Sequence, residues 1–136
     1  MKWSNRQFGD LDFDPDHVVE FSSGMIGFEQ YKRFIIVHDE DSEPFRWLVS
    51  IESKDLNFPM LDPGLLLPGY SEGTVGAEKE VWVIAALHAN VEKSTVNLRS
   101  PVVIDRKTRA AQQLILDDDS LPFQFPLVAA KSKGGN

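Results

Sequence analysis

The first part of the chain alternates between apolar and acidic residues from Phe8 to Asp14 (FGDLDFD). An alternation with a period of two is typical of a β-strand that has one face on a core and the other in water. Further along, short apolar runs rich in β-branched and aromatic residues are separated by turn residues, which again favours strands. These runs predict strands at residues 17–21, 34–38, 45–52, 57–61, 81–89, 96–98, 102–105 and 112–116.

Two stretches carry weaker signals. Pro59 removes a backbone donor, so strand 57–61 is predicted to lie at an edge or a bulge. Residues 62–80 contain four glycines and two prolines and are predicted to be mostly loop, with a short strand at Leu65–Leu67.

Residues 108–116 (TRAAQQLIL) admit two interpretations. Their composition favours helix, whereas the short charged break before them, between two apolar runs, suits a β-hairpin, and we predict strand. Many short strands separated by turns predict a mainly β protein with an antiparallel sheet, as a barrel or a sandwich, and at most short helical turns. At 136 residues the chain is one compact unit. We predict a single domain over residues 1–130 and a mobile polar tail over residues 131–136.

The composition narrows the classes of function. The chain has no cysteine, which excludes a disulfide scaffold, a thiolate metal site and a cysteine nucleophile, and makes the cytoplasm the expected location. No apolar run reaches the roughly 18 residues needed to span a bilayer, so no membrane role is expected. The formal net charge of −7 would repel a phosphate backbone, so no direct contact with nucleic acid is expected either.

Four aspartates at alternate positions between Asp10 and Asp16 are similar to the start of a calcium-binding loop. The spacing fails further on, because Pro15 stands where such a loop needs glycine and Phe21 where it needs its bidentate glutamate. The simpler interpretation is the solvated face of a strand.

The histidines His17, His38 and His88 lie far apart and lack the spacing that would place two imidazoles on one helix face. No serine has the frame of a nucleophile elbow. We therefore predict no catalytic residue, no metal and no cofactor. The alternative is a small β-barrel enzyme or a ligand- or metal-binding protein with a polar pocket lined by His38, His88 and Asp or Glu residues. A third hypothesis is a purely structural module of a larger machine.

Three blocks, in this order and spacing, resemble the FliW family of flagellar assembly factors. Residues 8–29 carry an F-G-x-L strand followed by GMIGFE, where that family has G-L-P-G-F-E. Residues 44–63 carry PFRWLVS and a later Asp-Pro, similar to its P-F-x-W-L-x-S segment and D-P. Residues 97–105 (NLRSPVVID), with Gln113 and Leu116 behind them, resemble its N-L-x-A-P-I-V-I-N hairpin, with Ser100 in place of the usual Ala and Asp105 in place of the usual Asn.

The resemblance implies a cytoplasmic, non-enzymatic regulator with a small antiparallel β-barrel-like fold. Family members bind flagellin and the RNA-binding translational repressor CsrA, so that sequestering CsrA relieves the repression of flagellin translation and accumulated flagellin recaptures the factor. Residues 1–62 hold 13 acidic and 6 basic side chains, whereas residues 63–136 hold 8 of each. An acidic half suits a partner that binds RNA through basic residues.

Three groups of residues are the candidate contacts for these partners. In the first group Phe28 could instead plug the end of the barrel, and in the third group Asn and Pro could instead serve the geometry of a turn. The three groups are the loop residues Met25, Ile26, Phe28 and Glu29, the acidic residues Asp39, Glu40, Asp41 and Glu43, and the hairpin residues Asn97, Arg99, Ser100 and Pro101.

Overall fold

A computed structural model describes residues 1–70 and 78–127. These residues form a mainly β structure, as the alternating pattern predicts. Its strands are β1 (Lys2–Asn5), β2 (Gly9–Asp12), β3 (Val19–Phe21), β4 (Arg33–His38), β5 (Arg46–Ser50), β6 (Asn57–Leu61), β7 (Lys79–Ala86), β8 (Thr95–Val96), β9 (Val102–Asp105), β10 (Ala110–Gln113) and β11 (Phe125–Pro126). Its helical segments are single 3-10 turns at Pro15–His17, Glu40–Ser42, Pro63–Leu65 and Val91–Lys93.

Seven strands close into a ring in the order β7-β6-β5-β4-β3-β10-β9, and β9 returns to pair with β7. All of these pairings are antiparallel except the one between β3 and β10, which is parallel. The predicted antiparallel barrel is therefore confirmed, with one parallel contact in it. Because the ring is closed, it has no free edge. A free edge is the liability of an open sheet.

Strands outside the ring extend it in two places. The hairpin of β1 and β2 forms a sheet of its own, with Trp3 opposite Leu11. Phe8, in the turn of this hairpin, packs edge-on against Trp47 of β5, with 5.5 Å between the ring centroids. Strand β8 pairs with the end of β7, and β11 pairs with β8. Neither β1 nor β11 is predicted from the sequence, because both are short and lack a distinct apolar run.

Two hydrophobic cores lie on the two sides of β7. Its residues Trp82 and Ile84 pack against the core inside the barrel, which includes Phe21, Phe34 and Leu48. The alternate residues of β7 belong to a second core with β8 and the chain around Leu98. Because side chains of a strand alternate between its faces, a strand between two cores is apolar on both, which explains the continuous run VWVIAA.

Two segments differ from the sequence prediction, and two others are not tested. Strand β6 is one of the strands of the ring and not an edge strand. It pairs with β7 only through Met60 and Leu61. Pro59, which has no backbone N–H to donate, therefore lies in the sheet at a position where the pairing of β6 with β7 has already ended. The chain at Leu65–Leu67 forms no strand, since Pro63 and Gly64 start a 3-10 turn capped by the side chain of Asp62. The predicted tail over residues 131–136, and residues 71–77 of the predicted loop, lie outside the described residues.

The hairpin predicted around Arg106 and Lys107 is present and joins β9 to β10. The Asp105 carboxylate accepts hydrogen bonds from the backbone N–H groups of Lys107 and Thr108, both at 2.9 Å. Arg109 closes the turn with a φ of 64°. Because this turn directs the chain back along β9, β10 forms as a strand rather than a helix.

Candidate functional site

The segment of residues 24–29 leaves the barrel after β3 as a tight, internally bonded turn. Gly24 has a φ of 74°, and a Cβ at this position would lie 2.5 Å from the Cα of Glu29. The N–H of Phe28 donates to the carbonyl of Met25 at 2.8 Å. Gly27 takes a φ of 88°, so the two glycines supply the left-handed conformations that the turn requires.

The side chains of segment 24–29 divide between the core and the surface. Met25 is only 2% exposed and belongs to the core inside the barrel, so the structure gives it no free surface for a partner. Ile26 is 52% exposed and Glu29 is also exposed. Phe28 is 37% exposed and packs edge-on against Phe58 at 5.2 Å between centroids, which combines partial exposure with a covering role at the barrel.

The segment of residues 97–101 uses its polar side chains internally. The side-chain oxygen of Asn97 accepts hydrogen bonds from the N–H groups of Arg99 at 3.1 Å and Ser100 at 3.0 Å. Ser100 and Pro101 are both buried. The alternative interpretation, in which these residues set the geometry of a turn, describes Asn97, Ser100 and Pro101 in this structure.

Arg99 is held by three groups of the following chain. Its Nε donates to the carbonyl of Leu121 at 2.7 Å. Its guanidinium carbon lies 4.7 Å from the ring centroid of Phe123, and one guanidinium nitrogen lies 3.8 Å from the carboxylate of Asp119. Arg99 therefore fixes residues 119–123 against segment 97–101 and positions the half-exposed ring of Phe123 beside it.

Segments 24–29 and 97–101 both contribute residues to the lining of one small cavity of about 240 Å3. Its lining includes Ile26 of the first segment and Asn97 of the second, together with Gln113 and Phe123. The structure thus brings the first and third predicted groups together. The acidic group does not line this cavity.

The acidic loop, Asp39–Glu43, begins with a 3-10 turn after β4. Asp39 caps this turn, since its carboxylate accepts from the N–H of Asp41 at 3.1 Å. Glu43 hydrogen bonds to His38 Nε2, and Arg46 lies 3.5 Å away. The bond to His38 lowers the pKa of Glu43 below its ordinary value, and the nearby Arg46 acts in the same direction.

Of the four predicted acidic residues, Glu40 and Asp41 are exposed and their carboxylates take no part in these contacts. Asp39 and Glu43 serve the structure of the loop. The charge that the acidic loop offers to a partner is therefore carried chiefly by Glu40 and Asp41.

An open apolar groove of about 620 Å3 borders the acidic loop at Glu43. Three aliphatic side chains in it are strongly exposed, with Leu65 at 62%, Leu87 at 47% and Val91 at 63%. The residues that line the apolar groove are Glu43, Pro44, Phe45, Leu61, Leu65, Leu66, Leu87, His88, Val91, Ser94 and Leu127. A contiguous exposed apolar surface with a polar rim is typical of an interaction site.

Sequence reasoning misses the apolar groove because its residues come from four separate parts of the chain. The one local signal is the leucine run at residues 65–67, between Pro63 and Pro68, where a turn would expose apolar side chains. Gln113 and Phe123 are missed for the same reason, since only the closed barrel brings them beside segment 24–29.

The histidines stay apart from one another. His38 contacts Glu43, whereas the Nδ1 of His88 accepts from the N–H of Asn90 at 2.9 Å. Within residues 1–70 and 78–127, no group of three or more histidine, aspartate or glutamate side chains is arranged to hold a metal ion. Over the same ranges, none of the helical turns has the length and apolar character needed to cross a bilayer.

The fold and these surfaces define a class of protein, a small closed β-barrel domain with structured loops and an exposed apolar groove. The amino-acid sequence matches the family described as FliW protein over residues 2–127. The chain belongs to the FliW family, which confirms the resemblance inferred from the three sequence blocks.

Individual relatives agree with this assignment over nearly their whole length. A flagellar assembly factor FliW from Thermoanaerobacter pseudethanolicus is 31% identical, with 94% of this chain and 93% of that protein aligned. One from Caldicellulosiruptor saccharolyticus is 33% identical, with 90% of this chain and 88% of that protein aligned. A crystal structure of the flagellar assembly factor FliW matches with a TM-score of 0.82 at 25% identity and covers 93% of this chain and 96% of its own.

Proposed function

We propose that this chain is a non-enzymatic flagellar assembly factor that works by binding proteins. Its partners are flagellin and the translational repressor CsrA. Binding to CsrA relieves the repression of flagellin translation, and binding to flagellin couples that relief to the amount of flagellin present. The chain acts in the cytoplasm and makes no direct contact with nucleic acid.

The observation that carries this proposal is the apolar groove beside the acidic loop. Leu65 and Val91 are each more than 60% exposed, although both are aliphatic and lie on one surface. Exposing such side chains to water is unfavourable by about 25 cal/mol for each Å2. A protein partner that covers them removes this cost, which is the usual source of affinity at the centre of an interface.

The acidic loop supports CsrA as one of the two partners. An RNA-binding protein recognises phosphates through basic side chains. Glu40 and Asp41 present negative charge on the loop whose Glu43 lines the apolar groove, so the field of this loop attracts a basic partner and orients it. Apolar contact then supplies the affinity that exposed charges alone do not.

The first test is binding of the full chain to purified flagellin and to purified CsrA, measured by calorimetry. We expect a saturable complex with each partner. In cells, deleting the chain should lower the amount of flagellin, and supplying it again should restore that amount. Failure to bind either partner, or an unchanged flagellin level on deletion, contradicts the proposal.

The electrostatic part is tested by charge reversal at the two free acidic residues, Glu40→Lys with Asp41→Lys. The matched control is Asp10→Lys with Asp16→Lys, which changes the net charge equally at two exposed positions outside the acidic loop. We expect the first pair to slow the association with CsrA several-fold and to weaken its dependence on salt. The control pair should change both much less, and equal behaviour of the two pairs would exclude a role for the acidic loop.

A further inference from the structure

The part of the chain that the structure describes ends at Leu127, and Leu127 lines the apolar groove. Just before it, the short strand β11 pairs with β8. The backbone N–H of Leu127 donates to the carbonyl of Ser94, another residue of the groove, at 3.1 Å. The segment that follows Leu127 in the sequence is therefore anchored at the groove itself.

The sequence after Leu127 changes from apolar to basic within a few residues. Residues 128–136 read VAAKSKGGN, so three apolar residues come first and Lys131 and Lys133 follow. An extended chain advances about 3.4 Å per residue, which allows Lys131 to lie up to about 14 Å from Leu127 and Lys133 up to about 20 Å. A groove of about 620 Å3 can be crossed within this reach.

The apolar groove offers the complementary order of surfaces. Its exposed aliphatic side chains include Leu65 and Val91. Among the described residues its lining contains one carboxylate, that of Glu43, and no lysine or arginine. Glu40 and Asp41 belong to the same loop as Glu43, and their carboxylates form no ion pair within the described residues. An apolar segment that continues into lysines matches this surface in both hydrophobicity and charge.

The covalent connection gives this segment an advantage over a separate molecule. A short flexible connection holds a tethered group at an effective concentration in the millimolar range. A contact that is weak between separate molecules is therefore well populated within one chain. Three small apolar side chains and two exposed lysines make such a weak contact, since an exposed ion pair contributes little alone.

We propose that residues 128–133 of the same chain occupy the apolar groove when no partner is bound. The apolar residues 128–130 cover the exposed aliphatic side chains, and the two lysines lie beside the acidic loop. The lysines thereby take the place of the basic side chains of CsrA, so the segment is a built-in competitor that CsrA must displace. This competition rests on the proposed function, whereas the occupancy of the groove by residues 128–133 does not.

The occupancy is tested in the free chain with a spin label. The chain has no cysteine, so Ser132→Cys gives a single attachment site for a nitroxide. We expect the label to broaden the methyl signals of Leu65 and Val91 and to leave those of Ile115, which is exposed outside the groove, sharp. Sharp signals from Leu65 and Val91 would overturn the proposal.

Charge reversal separates a bound segment from one that only passes near the groove. Lys131→Glu with Lys133→Glu should reduce the broadening roughly threefold, because the attraction to the acidic loop is lost. The matched control, Lys2→Glu with Lys54→Glu, changes the net charge equally at two exposed positions outside the groove and should leave the broadening unchanged. Equal broadening in the two double variants would contradict the proposal and would agree with the mobile tail predicted from the sequence.

The label also shows which chain supplies the segment. We mix spin-labelled chains that carry no isotope with isotope-labelled chains that carry no spin label. The groove signals of the isotope-labelled chains should stay sharp, because each groove is occupied by its own segment. Broadening in this mixture would mean that the segment comes from a second copy, which would overturn occupancy within one chain.

Binding measurements then test the competition with CsrA. We expect Lys131→Glu with Lys133→Glu to bind CsrA roughly threefold more tightly than the unaltered chain does, because a larger fraction of the grooves is open. The control pair, Lys2→Glu with Lys54→Glu, has the same net charge and should gain much less. Equal affinities of the two double variants would overturn the competition. If the unaltered chain does not bind CsrA, the proposed function fails, while the spin label still decides whether residues 128–133 occupy the groove.

Discussion

Segment 97–101 and the apolar groove use their side chains in opposite ways. Segment 97–101 has the more recognisable sequence, yet its Asn97 bonds to backbone N–H groups, and Ser100 and Pro101 are buried. The apolar groove has no recognisable motif, yet it exposes Leu65 and Val91. A motif of polar and turn-forming residues thus marks a place where the backbone needs a special geometry, whereas exposed aliphatic side chains mark the surface that is free to bind.

Segment 24–29 lies between these two extremes. Its glycines and its Met25 serve the geometry and the core, whereas Ile26 remains available at the surface. Two kinds of variant can test this contrast. A variant that disturbs the backbone geometry should change the stability of the chain. A variant at the exposed surface should change only the affinity of the chain for a partner.

The largest effect is expected from Gly24→Ala, which disturbs the backbone geometry of segment 24–29. A Cβ at Gly24 would lie 2.5 Å from the backbone of Glu29, and the residue has a φ of 74°. We expect the free energy of unfolding to fall by about 3 kcal/mol, since the turn must shift as well as adopt a left-handed alanine.

Gly9→Ala is the matched control for this prediction. Gly9 has nearly the same φ, 72°, but a Cβ there would meet no atom within 4 Å. It should cost only the conformational strain, about 1 kcal/mol. Denaturant unfolding measures both variants, and equal losses would show that the close approach to Glu29 is not tight.

The second largest effect is expected from Leu65→Glu, which alters the exposed surface of the apolar groove. Because Leu65 is 62% exposed, we expect the free energy of unfolding to change by no more than about 0.5 kcal/mol. A charge in the lining of the apolar groove should weaken the binding of the partner that covers it by about 2 kcal/mol, which is roughly thirtyfold in affinity.

Ile115→Glu is the matched control for the apolar groove. Ile115 is also exposed, at 68%, but it does not line the groove. Titration of both variants with flagellin and with CsrA should show a loss of affinity for Leu65→Glu alone. Equal losses for the two variants would mean that exposed apolar side chains contribute without regard to position.

Much of the fold could be predicted from the sequence because it depends on local pattern. The strand at residues 57–61 has the predicted bounds, and the hairpin around Lys107 follows from a charged break between two apolar runs. Strand β11 could not be predicted, because Phe125 and Pro126 form it only through pairing with β8. A two-residue strand has no period of its own.

The candidate site could be predicted only in part. The loop residues Ile26 and Phe28 are exposed apolar side chains on either side of Gly27, which a local pattern can indicate. The apolar groove and the cavity that Gln113 lines depend on contacts between distant parts of the chain. Such contacts follow from the closure of the barrel, which single-sequence patterns do not encode.

A smaller effect tests whether the two contrasted regions are linked. Tyr70 follows the leucine run of the apolar groove, and its hydroxyl donates to the carbonyl of Leu98, within segment 97–101. We expect Tyr70→Phe to lower the free energy of unfolding by about 1 kcal/mol at neutral pH, because a buried carbonyl loses its donor. Tyr31→Phe, at a half-buried tyrosine of the barrel core, is the control for removal of a hydroxyl.

The same variant carries a pH dependence. Burial raises the pKa of Tyr70 to about 12, whereas an unfolded tyrosine ionises near pH 10. The folded chain therefore keeps a proton that the unfolded chain has lost, and stability should fall as the pH rises from about 10 towards 12. Unfolding measured across this range should show a smaller fall in Tyr70→Phe, and parallel curves would contradict the assignment.

The smallest effect concerns Asp105, which serves the turn after β9 as Asn97 serves segment 97–101. The backbone N–H groups of Thr108 and Lys107 hold the pKa of Asp105 below its ordinary value of 3.8. A lowered pKa means that the stabilisation is complete above pH 3.8 and is lost as the pH falls below it. Asp105→Asn keeps a neutral acceptor in the same turn, so it should be slightly less stable than the unaltered chain at neutral pH and should lose less stability in acid. Unfolding measured from neutral pH to about pH 2 tests this, with Asp10→Asn as an exposed control. If the stability of Asp105→Asn and that of the unaltered chain change in parallel with pH, the carboxylate contributes no more than an amide, and the turn depends on hydrogen-bond geometry alone.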